Sequence, residues 1–209
     1  MRTRLTALLV SGGAAALALS LGLGTGTAIA SSAITWTVKP GGNITAAGAA
    51  QVKDSKTGTV AKCTTTKLTG TLKKGSGLAG AKLGTVKTAA FTGCTIATIK
   101  ITVKTNGLPW SLNAVSYKNG VTTGTVKGID LVATAPGCSA TLDGTGAGKD
   151  NGTTKFTYTN STGKLALLGP GGNLHAWAVS GCFGLINNGD VEQASGTLTV
   201  TPKQTITGT

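Results

Sequence analysis

The sequence predicts an all-β fold, an antiparallel sandwich or barrel of about ten to twelve short strands held by two disulfides. Three observations point there. Apolar and polar residues alternate with period two in many stretches, clusters of glycine and asparagine punctuate them, and no stretch beyond residue 30 carries a helical apolar stripe.

Taken in order, the first element is "MRTRLTALLVSGGAAALALSLGLGTGTAIA", with Arg2 and Arg4, an apolar middle broken by Ser and Gly, and an A-x-A ending at Ala28-Ile29-Ala30. This pattern predicts a secretory signal peptide over residues 1–30. Ser31-x-Ala33 offers a second cleavage pattern. No cysteine follows to take a lipid anchor, and no later run approaches the ~20 apolar residues of a membrane span. Residues 31–209 are then one secreted β-domain.

Within that domain "ITWTV" alternates Ile34, Trp36 and Val38 with polar residues, so Trp36 reads as core. "IKITVK" sets Ile99, Ile101 and Val103 against Lys100, Thr102 and Lys104; "KFTYT" and "GTLTV" follow the same rule. Turn chemistry separates them at "KPGGN", "KKGSG", "TNG", "KNG", "KDNG", "GPGGN" and "NNGD".

The chain also echoes itself. "CTTTKLTGT" from Cys63 resembles "CSATLDGT" from Cys138, and "AAFTGC" ending at Cys94 resembles "AWAVSGC" ending at Cys182. An internal duplication would divide the domain into similar halves, 31–120 and 121–209. Four cysteines in an exported chain predict two disulfides, and the echo favours Cys63 with Cys94 and Cys138 with Cys182.

Beyond the leader every basic residue is a lysine, seventeen of them against six carboxylates, which leaves +11. Eleven of the lysines lie in residues 31–104, beside Asp54 alone. Such a field attracts polyanions, with anionic cell-envelope polymers as the expected partner. Specific nucleic-acid recognition is not expected, because the bidentate fork of arginine is missing and aromatic stacking positions are few.

Candidate chemistry centres first on "LHAWAVSGC", which holds His175, the chain's one histidine, with Trp177 and Cys182. On an extended strand His175 and Cys182 stand about 23 Å apart on opposite faces, which rules against a catalytic dyad. A zinc site runs out of ligands, so neither metal nor cofactor is expected. Asp143, Asp150, Asp190 and Glu192 are the carboxylates a hydrolase would pair, yet all lie in or beside glycine-rich turns, where aspartates cap their own backbone. "NNGD" with Glu192 is the best calcium candidate but lacks regular ligand spacing, and a tight hairpin or Asx turn explains it better. In "NGLPWSL", Gly107 and Pro109 set a turn presenting Trp110 either as a sugar-stacking platform or as a lid on the core.

At "NGLPWSLNA", "APGCSATLDGT", "YTNSTGKL", "GGNLH" and "VSGCFGLINNGD" the chain resembles small secreted proteins of unknown function from high-GC Gram-positive bacteria. The resemblance implies export, disulfides and a β-rich fold, and brings no catalytic residue with it. The expectation is a secreted, non-enzymatic protein, extracellular or held at the cell wall through its lysine-rich N-terminal half. The alternatives are a polysaccharide-binding module using exposed Trp110 and Trp177, and a hydrolase built on a carboxylate pair.

Overall fold

In the computed structural model the described residues are 34–209; the expected leader lies outside them. They form sixteen strands and no helix. The first half supplies β1 (Thr35–Lys39), β2 (Gly42–Asp54), β3 (Val60–Leu72), β4 (Gly75–Ala79), β5 (Gly84–Ile96), β6 (Ile99–Lys100), β7 (Thr102–Thr105) and β8 (Trp110–Lys118). The second supplies β9 (Val121–Ile129), β10 (Leu131–Ala135), β11 (Cys138–Asp143), β12 (Gly152–Thr159), β13 (Lys164–Leu168), β14 (His175–Ser180), β15 (Glu192–Thr201) and β16 (Thr205–Gly208). The count exceeds ten to twelve for a physical reason. "IKITVK" is not one strand: it breaks at Ile101, leaving β6 beside β5 while β7 joins another sheet. Short strands such as β4, "GSGLA", carry too few side chains to show alternation.

Eight strands close into a barrel in the order β2-β3-β5-β8-β9-β12-β13-β15, and β15 returns to β2. Every pairing is antiparallel, and each barrel strand pairs with the next barrel strand along the chain. Of the two architectures expected, the barrel is therefore the one formed. Each half of the domain contributes four consecutive barrel strands to a single core.

Because successive barrel strands run in opposite directions, the excursions between them fall at two ends. At one end β16, β1 and β4 form a three-stranded plug. At the other β14, β11, β10 and β7 form a four-stranded lid. Inward positions are apolar, with Leu72, Val86, Leu112, Phe156 and Leu198 in one core with Trp36, Val38 and Ile206 of the plug. Trp36 is core, as its alternation predicts. The plug also satisfies its polar groups: Tyr158 Oη donates to Gln204 O and accepts from Gln204 N, both at 2.8 Å, and the Asn160 amide bonds both backbone groups of Ile206.

Outward positions carry threonine and lysine. Hydroxyl pairs bridge neighbouring strands at Thr69–Thr88 (2.6 Å), Thr71–Thr85 (3.0 Å) and Ser116–Thr123 (2.6 Å). That polar exterior reverses the pattern of a membrane-spanning barrel, whose outer band is apolar. Among the described residues no helix is long and apolar enough to cross a membrane.

Both disulfides form as the echo predicts. Cys63 and Cys94 stand directly opposite each other on β3 and β5. Cys138 opens β11 and meets Cys182 just past β14, where Gly181 turns the chain at φ 65°. The first pair clasps the barrel wall and the second clasps the lid, so the echoed segments occupy unlike positions in the two halves. Sequence separations of 31 and 44 give about 4 kcal/mol each in the chain-entropy account. Replacing Cys138 and Cys182 together by Ser should therefore lower the melting temperature by about 10 °C, read by thermal unfolding. An unchanged midpoint would mean the lid does not share the barrel's cooperative unfolding.

Candidate functional site

All six carboxylates of the chain gather at the lid end, because each lies next to the lid-side end of a barrel strand or on a lid connection. Asp54, Asp130, Asp143, Asp190 and Glu192 are buried there and Asp150 is exposed. They divide by how well their oxygens are used.

Asp143 ends β11 and organises the loop that follows. Its two oxygens accept backbone N–H groups from Gly144 (2.6 Å), Lys149 (2.7 Å), Asp150, Asn151 and Gly152 (each 3.0 Å). Burial pushes its carboxyl up, but the ring of N–H donors outweighs that and holds it below the ordinary carboxylate value. Asp190 closes the "NNGD" turn, accepting from Asn187 N and Nδ2 (both 2.9 Å) and pairing with Lys56 Nζ at 3.4 Å. The Asn187 amide, then its backbone N–H and the Lys56 charge, keep this carboxyl low against burial. The segment is thus a capped turn rather than a calcium loop. Among the described residues no group of three His, Cys, Asp or Glu side chains is placed to hold a metal.

Asp54 and Glu192 are used differently. Asp54 ends β2, Glu192 opens β15, and the register sets them directly opposite each other. Alternation turns both inward, in line with Val52 and Ala194; direct cross-strand neighbours have Cβ atoms about 5 Å apart. Asp54 Oδ1 accepts N–H from Lys56 (2.8 Å) and Thr57 (2.9 Å), but Oδ2 has no partner. Glu192 Oε1 also has none. Burial, then the charges of Asp54 and Asp190, raise the Glu192 carboxyl to about 8, so it is protonated at neutral pH. Asp130 is raised too, by burial first and then by Asp143, with Asp150 adding to the rise and the Asn106 amide at 3.4 Å opposing it.

Glu192 faces a cavity of about 80 Å³ between barrel wall and lid, bounded by Val52, Phe91, Ile96, Leu131 and Leu142. A second, of about 70 Å³, lies deeper in the barrel and shares Val52, Thr66, Phe91 and Leu131 with the first. Thr66 Oγ1, Thr154 Oγ1 and Trp110 Nε1 border this pair of cavities, and all three are buried without a partner. Buried polar atoms are normally hydrogen-bonded, so this concentration of unpaired ones marks the lid end. The plug end shows the opposite, with one such atom, Thr122 Oγ1.

The tryptophans separate. Trp110 is 4% exposed and lies inside the barrel, which corrects the stacking-platform reading: no surface polysaccharide reaches it. Trp177 is half-buried, donates from Nε1 to Gly144 O at 3.2 Å and sits with its ring centre 5.9 Å from that of His175. His175 Nδ1 bonds Asn173 O at 2.8 Å, and Cys182 is in its disulfide, so the Cys/His pairing has no structural basis.

No family model matches the chain, and no curated protein or solved structure matches it either. Sequence reasoning singled out Asp143, Asp150, Asp190 and Glu192 but passed over Asp54 and Asp130. A signal for Asp54 existed: in "QVKD" it shares strand parity with the inward Val52, an unusual place for an acid.

The outer surface is the complement of this interior. All seventeen lysines are exposed, and Asp150 is the one exposed carboxylate among the described residues. The negative charge that would balance the lysines has been taken inside.

Proposed function

We propose that this is a secreted, non-enzymatic binding protein that adsorbs to anionic polymers of the cell envelope through its lysine-covered exterior. The observation that carries the reading is the sorting of charge: seventeen exposed lysines against one exposed carboxylate make a surface far more cationic than net charge suggests. The two disulfides fit an oxidising compartment outside the cytosol. The engagement of Asp143 and Asp190 by backbone donors and Lys56 supports a structural rather than a hydrolytic use of those carboxylates. Lysine without arginine suits loose, sequence-independent attraction to a charged polymer rather than a fitted pocket.

The test is retention of residues 31–209 on an immobilised polyphosphate-backboned wall polymer across a sodium chloride series, with neutral polysaccharide as control. Retention should be strong at about 0.02 M salt and lost by about 0.5 M, as the screening length shrinks below the lysine spacing. Equal retention on the neutral matrix, insensitive to salt, would overturn the electrostatic reading in favour of sugar binding at Trp177.

A further inference from the structure

We propose that the lid end of the barrel is a binding site for a small primary alkylamine, taken as its ammonium ion, with the amine head on Glu192 and the alkyl chain in the two apolar cavities. Three features of the site select that chemistry, none of which depends on the cationic exterior.

The first is an unsatisfied acidic head. Glu192 is 5% exposed, borders the cavity and has Oε1 unpaired, while the adjacent Asp54 is 1% exposed with Oδ2 unpaired. Lys56, two residues from Asp54, is engaged with Asp190 and its side chain is 73% exposed. An alkane would leave these oxygens unpaired and an acid would be repelled by them. An alkylammonium supplies N–H donors and the missing positive charge together.

The second is the wall. Val52, Phe91, Ile96, Leu131 and Leu142 offer methyl and ring carbons for the alkyl chain. The third is size. An apolar cavity of about 150 Å³ accepts benzene. The two cavities, about 80 and 70 Å³, adjoin at Val52, Thr66, Phe91 and Leu131, and a chain of about four to six carbons spans both where those side chains give way.

Ammonium binding also moves a proton. Glu192 holds one at neutral pH beside Asp54 and Asp190, the latter paired with Lys56. An arriving ammonium favours the ionised carboxylate, so Glu192 releases its proton to the buffer while the ligand keeps its own. Adventitious binding outside is disfavoured, since the exterior repels cations.

Calorimetric titration of residues 31–209 at pH 7 with n-pentylamine, 1-pentanol and pentanoate tests this, each run in phosphate and in Tris. We expect saturable binding of the amine, at least tenfold weaker binding of the alcohol and none of the acid. The heat should differ between buffers by the ionisation of about one proton per amine. Glu192→Gln should abolish that buffer difference and weaken the amine at least tenfold, and Ala140→Leu, which fills the first cavity from the lid, should weaken amine and alcohol alike. Equal affinity for amine and alcohol, no buffer dependence, or undiminished binding in Glu192→Gln would overturn the proposal, as would the absence of any heat. The polymer experiment reads only the exterior, so either reading can fail alone.

Discussion

Glu192→Gln is expected to stabilise the protein at pH 8 by several kcal/mol and to flatten its stability profile between pH 5 and 8. The carboxyl has an ordinary value of 4.5 and a folded value of about 8. Between those values the folded state keeps a proton that the unfolded state has lost, so stability falls as pH rises. The slope is about 1.4 kcal/mol per pH unit, and the fall levels off above pH 8. Accumulated across the window, the penalty reaches about 4 kcal/mol. Glutamine has the same shape and carries no charge at any pH, so the penalty disappears. Asp130, also raised, adds a smaller fall of the same sign that the variant retains. Asp143 and Asp190, both lowered, act oppositely: their stabilisation is present above 3.8 and lost as pH falls through their folded values. Urea unfolding at pH 5, 6, 7, 8 and 9 should show wild-type stability highest near pH 5, with the two proteins diverging progressively above it. A wild type whose stability is level from pH 5 to 8 would show that the Glu192 side chain is hydrated rather than buried.

Asp143→Ala should be the most damaging single substitution at the lid end, costing about 4 kcal/mol. It removes the acceptor for five backbone N–H groups between Gly144 and Gly152. Leaving a buried donor unpaired costs about 1 to 3 kcal/mol, and only Gly144 and Gly152 of these five residues are buried, so most of the others recover water. The loop also carries the Gly144 carbonyl that holds the Trp177 indole, so tryptophan emission should shift red as the contact loosens. Asp143→Asn should cost about half as much. Its oxygen can keep the Gly144, Asn151 and Gly152 bonds, but an amide nitrogen cannot accept from Lys149 and Asp150. Urea unfolding and emission spectra of both variants at pH 6 measure this, and an Asp143→Ala protein matching wild type in both would remove Asp143 as organiser of the loop.

Much of this architecture was legible because it depends on near neighbours. The alternation in "KFTYT" puts Phe156 and Tyr158 on one face, and both are buried. The echo around the cysteines pairs correctly because each disulfide closes an adjacent antiparallel pair, within the ladder for β3 and β5 and just past its end for β11 and β14. What was not legible depends on partners far along the chain. "IKITVK" alternates throughout, and nothing within it says that Ile99 serves the barrel wall and Val103 the lid. The turn before Trp110 looks alike whether the ring faces solvent or the barrel interior. Glu192 was visible as an acid beside a turn, but its meaning comes from Asp54 opposite, and only the closing register brings the two together.

That closing register has a consequence for how the molecule is made. The other barrel pairings join strands consecutive around the meander, whereas β15 meets β2 through ten pairs of residues roughly 150 positions apart. The hydrogen bonds are ordinary, but bringing those ends together costs about 2 kcal/mol more chain entropy than closing a loop of about 20 residues. The seam is therefore the slow, late step of assembly. Until it is made, the chain is a curled open sheet with two bare edges, and Asp54 and Glu192 are still in water on opposite sides of the gap.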